Sequence, residues 1–171
     1  MRENFKKNEK KGYSLLEVML VIFILGTALV VFVQVISKSI IHSMDSRDTI
    51  IASELAQEGV ELTINIRDNN WAQKLEDFSG IDNGSHAINY NGGALISLGT
   101  GKLRWNGSYY NTSSGSETKF SRKIIVDGDA DVKKITSLVV WERNDFPPDT
   151  TSCHAANKCA YAEVNLTKWG N

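Results

Sequence analysis

Glu17 is the residue whose position most demands a chemical account. It stands in KKGYSLLEVMLVIFILG, residues 10–26, as a lone carboxylate at the head of an otherwise apolar run. A charged side chain at the middle of a membrane helix costs about 3 kcal/mol even on lenient insertion scales, so acids in such runs are rare and have partners. The competing reading is a carboxylate that snorkels to the membrane edge and does nothing.

Three other groups have spacings that invite chemistry. Cys153 and Cys159 frame CHAANKC. In an oxidising compartment they close a small disulfide loop. With His154 they form the beginning of a metal site, but one that lacks a fourth ligand and the usual spacing. Asp127, Asp129 and Asp131 in DGDAD resemble the start of a calcium loop and make a weak calcium candidate. Val132 and Leu138 stand where that loop needs glycine and glutamate, which favours a plain hairpin turn and no metal. Trp71, Trp105, Tyr109, Tyr110, Trp141 and Trp169 are either a stacking platform for sugars or single strands, or braces for a core. His42, His86 and His154 are scattered, and no nucleophile–base set can be assembled around them, so neither an enzyme nor a cofactor is expected.

The elements that position these groups begin with the apolar run. Val18 to Val33 carries no charge, and a helix over 15–36 would measure about 33 Å at 1.5 Å per residue, enough to cross a hydrocarbon core of about 30 Å. The first twelve residues hold five basic side chains (Arg2, Lys6, Lys7, Lys10, Lys11) against Glu3 and Glu9, a net of +3. The positive-inside rule then keeps the N-terminus in the cytoplasm and puts the rest outside. Of 19 basic and 20 acidic residues in all, 14 and 18 remain beyond residue 12, a net of −4, so a basic nucleic-acid-binding body is not indicated. A cleaved secretory signal would need a shorter apolar core followed by a small-x-small site, and QVISKSIIHSM follows instead.

The helical pattern continues past the membrane. Ile51, Leu55, Leu62 and Ile66 recur at helical spacings between polar residues, and no proline precedes Pro147. One helix is therefore expected over about 14–67, roughly 80 Å long, ending at RDNNW. Residues 79–118 are rich in Gly, Asn and Ser, with three hairpin-type pairs: Asn83-Gly84, Asn91-Gly92 and Asn106-Gly107. Strands are expected around 86–90, 102–110, 119–127, 132–142 and 160–169, with DGDA joining the third and fourth as a hairpin. The 144–159 connection, with Pro147, Pro148 and the cysteines, reads as an exposed, stapled loop. The fold class is α+β, a long N-terminal helix whose second half covers one face of a small antiparallel sheet.

The order Lys10–Lys11–Gly12–Tyr13–Ser14–Leu15–Leu16–Glu17, followed by a membrane-length helix, resembles the class III signal of type IV pilins and pseudopilins. LAQEGVELTINIRDNNW more loosely resembles the second helical half of minor-pilin-like members. The resemblance implies a cytoplasmic leader over 1–12, a long helix over 13–67 and a sheet head over 68–171. It implies cleavage after Gly12 by a prepilin peptidase, methylation of the new N-terminal Tyr13, and a role for Glu17 in assembly. Family members usually have phenylalanine at the position of Tyr13 and often a helix-breaking proline at that of Gln34. The implied partners are other pilin subunits, the peptidase, a membrane assembly platform and the inner membrane before assembly, with nucleic acid unlikely. The implied product is an extracellular filament subunit; a pseudopilin of a secretion or competence apparatus, or a membrane-anchored adhesin, is the alternative.

The physics of the residues agrees with that role for Glu17. Bundling such helices would bury its carboxylate, and cleavage at Gly12 would create a positively charged amine on Tyr13 that a neighbouring subunit's Glu17 can reach. An acid buried this way penalises wrong registers, as a polar residue does in a coiled coil.

Overall fold

In the computed structural model the described residues are 12, 14–143 and 145–169. The chain divides into two compact units, 1–44 and 45–171. One helix, α1 (Leu15–Ala72), contributes to both.

In the first unit every described side chain from Leu15 to Met44 is exposed, including the whole apolar run. Helix α1 is long and apolar enough to cross a membrane. Two of its hydroxyls turn back on the helix: Thr27 Oγ1 donates to the Ile24 carbonyl (2.9 Å) and Ser37 Oγ to that of Val33 (3.0 Å). Each of these two hydroxyls thereby satisfies the hydrogen that lipid would leave unpaired.

The second unit is a seven-stranded antiparallel sheet between two coverings. Its strands are β1 (Gly84–Ile88), β2 (Leu95–Ser97), β3 (Lys102–Trp105), β4 (Tyr110–Asn111), β5 (Ser116–Gly128), β6 (Val132–Trp141) and β7 (Cys159–Thr167). The long strands run β7–β6–β5. The other edge of β5 is shared: β3 pairs with its first half (Trp105 opposite Ser116) and β1 with its second (Gly84 opposite Val126). Outside these lie β4 and β2. As expected from DGDA, β5 and β6 form a hairpin, with Gly128 opposite Lys133.

Residues 45–72 of α1 cover one face. Ala52, Leu55 and Ala56 pack with Leu103, Phe120, Val139 and Trp141, while Ile66 packs with Ile81, Ile124, Ile135 and Leu166. The small residues let the helix come close. A Cβ at Gly59 would lie 2.4 Å from Ser137 Oγ and 2.9 Å from Ile124 Cδ1.

Four expectations need correction. Helix α1 passes through Asn69 and Asn70 to Ala72 rather than stopping near Arg67. Asn69 Nδ2 bonds Asn65 Oδ1 one turn back, and Asn70 Nδ2 holds the carbonyls of Asp77 and Ser79, so neither amide competes for the helix backbone. The 102–110 segment is two strands that turn at Asn106-Gly107, where Asn106 Oδ1 accepts the Ser108 and Tyr109 N–H groups. Asn83-Gly84 is the entry to β1 rather than a hairpin turn, because the Asn83 amide donates to the Gly128 carbonyl across the sheet. Finally, the 144–159 connection is not wholly exposed: Cys153 joins Cys159, Leu138 and Val140 in a third apolar cluster, with Phe146 and Ile125 against it. Strand β6 is thereby covered on both faces, which is why its burial runs unbroken from Ile135 to Trp141.

Candidate functional site

Gly12 and Glu17 are described and exposed, whereas Tyr13 and the lysines at 10 and 11 lie outside the described residues. The helix opens at Ser14, whose carbonyl accepts the N–H groups of Glu17 (2.9 Å) and Val18 (3.2 Å). Glu17 is therefore in the first turn. Carboxylates are favoured there by the unpaired N–H groups and by the positive end of the helix dipole, an effect of roughly 0.3–1 kcal/mol in exposed positions. The sequence signal for this was available, since Ser14-Leu15-Leu16-Glu17 has the S-x-x-E spacing of a capping box. Among the described residues neither side chain makes a hydrogen bond or ion pair. The helix dipole thus offsets part of the acid's cost without occupying its oxygens.

Cys153 and Cys159 form a disulfide, so their sulfurs are not metal ligands. The His154 ring lies 3.0 Å from Asn157 Nδ2. In DGDAD, Asp129 Oδ1 accepts the backbone N–H groups of Asp131 and Val132 (both 2.9 Å), and Asp131 faces Lys168 at 3.7 Å. The Val132 N–H, then that of Asp131, hold the Asp129 carboxyl below its ordinary range. Among the described residues no group of three or more His, Cys, Asp or Glu is placed to hold a metal.

The aromatic residues do not form one platform. Trp141 is core. Tyr90 and Tyr109 stack at 3.5 Å and Trp105 leans on Tyr110 at 5.0 Å, both pairs near the β3–β4 turn, while Trp71 and Trp169 meet elsewhere at 5.8 Å.

Two charged sites fasten the head half of α1, and the sequence reading named neither. Arg122 is 1% exposed. Its Nη1 donates to the Leu55 carbonyl (3.1 Å) and to Glu58 Oε2 (3.0 Å), and its Nη2 to the Ile88 carbonyl (3.1 Å). Burial pushes the guanidinium pKa down, and Glu58 opposes that shift. The second site gathers Lys119 with buried Asp48, and Lys158 with Asp45 (2.7 Å), around Glu142. The hydrogen bond to Asp45 raises the Lys158 pKa.

Residues 7–33 match the model of the prokaryotic N-terminal methylation motif. No curated protein and no solved structure matches the chain. The motif marks a type IV pilin-like class III signal, carried by a precursor of the pilin or pseudopilin kind that a prepilin peptidase processes. The match and the apolar helix together are consistent with a single-pass, membrane-anchored protein.

Proposed function

We propose that this chain is a structural subunit of a type IV pilus-like filament. It is cut between Gly12 and Tyr13, assembled through α1, and contributes no catalysis of its own. The observation that carries this reading is the methylation motif running directly into an apolar helix with a lone acid in its first turn. After cleavage the Tyr13 amine of one subunit pairs with Glu17 of the next, giving the acid the cation that it lacks among the described residues of a single chain. The Cys153–Cys159 disulfide supports an extracytoplasmic head, because such bonds persist in oxidising compartments.

Mass spectrometry of the N-terminus of assembled protein tests the cleavage. The expected mature chain begins at Tyr13, with or without one added methyl group. Recovery of Met1 in sheared filaments would overturn the reading.

A further inference from the structure

The last turn of α1 and the stretch after β7 meet at an exposed pair of indoles. Trp71 and Trp169 are 53% and 45% exposed, with ring centroids 5.8 Å apart and planes tilted by 42°. Exposed tryptophans are ordinarily loose, but Trp169 is fixed at four points. Its backbone N–H donates to Asp77 Oδ2 (2.7 Å) and its Nε1–H to Asp68 Oδ1 (3.2 Å); the Arg67 guanidinium lies 4.8 Å from its ring, and Trp71 flanks it. Arg67 also reaches the Thr167 carbonyl (3.3 Å), which holds the strand end to the helix.

Two adjoining clefts of about 390 and 380 Å³ open here, one walled by Trp71 and the other by Trp169, and they share Lys74, Leu75 and Asp77. Leu75 is itself 53% exposed. Among the described residues the side chains of Lys74 and Glu76 have no hydrogen-bond or ion-pair partner, and Asp77 uses one carboxylate oxygen only. The two indoles lie against each other, and open polar groups border the pair along both clefts.

We propose that this site binds a neutral saccharide, a sugar ring packed on the exposed surface of the Trp71–Trp169 pair and its hydroxyls bonded by Lys74, Glu76 and Asp77. A pyranose has an apolar face and a rim of hydroxyls, which suits fixed indoles flanked by both donors and acceptors. A nucleic-acid strand is disfavoured because Arg67, Lys74 and Lys168 are balanced by Asp68, Glu76 and Asp77, and phosphates need a net positive track. A stable protein partner would need about 800 Å² on each side, more than an apolar patch of Trp71, Leu75 and Trp169 supplies. The proposal goes beyond the filament reading and requires neither cleavage nor assembly.

The test uses the full chain in detergent micelles, titrated with tri-N-acetylchitotriose, cellotriose and maltotriose and followed by the indole N–H signals of its tryptophans. Saturable binding of at least one trisaccharide is expected below about 10 mM, the weak end of measurable affinity. The Trp71 and Trp169 signals should shift while that of Trp141 stays in place. Trp71→Ala should weaken binding tenfold or more, Trp71→Phe should keep most of it, and Trp105→Ala should leave it unchanged. Absence of saturation with all three sugars, equal losses in Trp71→Ala and Trp105→Ala, or displacement of the sugar by an oligothymidine would each overturn the proposal.

Discussion

Lys158 Nζ lies 2.7 Å from Asp45 Oδ1, so the residue immediately before the second cysteine of the disulfide grips the first helical residue of the head unit. The backbone of Lys158 is left-handed (φ 53°) and its carbonyl accepts the Trp141 N–H at 3.1 Å. One residue therefore connects the stapled loop, the end of β6 and α1.

Removing the staple should loosen that connection. Cys153→Ser with Cys159→Ser is expected to cost about 2–3 kcal/mol from loop entropy for so short a ring. Native-state hydrogen exchange should show lost protection at Trp141 and around residues 45–52, not only within the loop. Unchanged exchange in α1 would separate the disulfide from the helix. The pH dependence has a definite sign: the folded Lys158 pKa is raised, so its contribution is complete below the unfolded value of about 10.4 and fades as pH rises through the folded one.

At Gly59 two effects oppose each other. Alanine is favoured over glycine in a helix interior by about 1 kcal/mol. The added Cβ, however, would lie 2.4 Å from Ser137 Oγ and 3.1 Å from Arg122 Cδ, and overpacking of this kind costs about 1–3 kcal/mol or more. Gly59→Ala should therefore destabilise the head in urea titrations, and adding Ser137→Ala should recover part of the loss. A stabilised single variant would show that the helix stands off the sheet.

The Arg122–Glu58 pair should be lopsided under mutation. Arg122→Met leaves the Ile88 carbonyl buried without its donor and removes the clamp on Leu55, a loss of about 3 kcal/mol. Glu58→Gln should cost less, about 1–2 kcal/mol, because the half-exposed amide can still accept from Arg122 Nη1 although the buried guanidinium loses its counterion. Equal losses in denaturant unfolding would mean that the ion pair outweighs the carbonyl contacts.

Glu17→Ala should leave membrane insertion intact and reduce incorporation into sheared filaments tenfold or more, measured by quantitative blotting against the membrane pool. Normal incorporation would sink the pairing of Glu17 with a neighbour's amine.

Much of this architecture was legible from periodicity. The helical spacing of Leu55 and Ile66 and the DGDA turn between β5 and β6 placed the main layers. The helix end was misread because asparagines disfavour helix only when their amides compete with its backbone, and those of Asn69 and Asn70 are engaged elsewhere. The packing of the 144–159 loop was hidden because only a few apolar residues, among them Phe146 and Cys153, carry it. Arg122 offers a subtler lesson. Its parity with Phe120, Ile124 and Val126 already put it on the helix-facing side of β5, but a charged residue in a strand is ordinarily assigned to solvent. Its partner Glu58 is 64 residues away, a separation that no local pattern bridges.

The two-sided covering of β6 also bears on the order in which the head assembles. Leu138, Val139 and Val140 form an apolar, strand-prone run that β5 can pair on one side as soon as the hairpin turns. The other side stays an open edge until β7 emerges, after the 142–158 connection has been made. A chain held between those two points during synthesis would present a bare, sticky strand edge to its neighbours, so the time taken to complete 142–167 sets the window in which this head is open to aggregation.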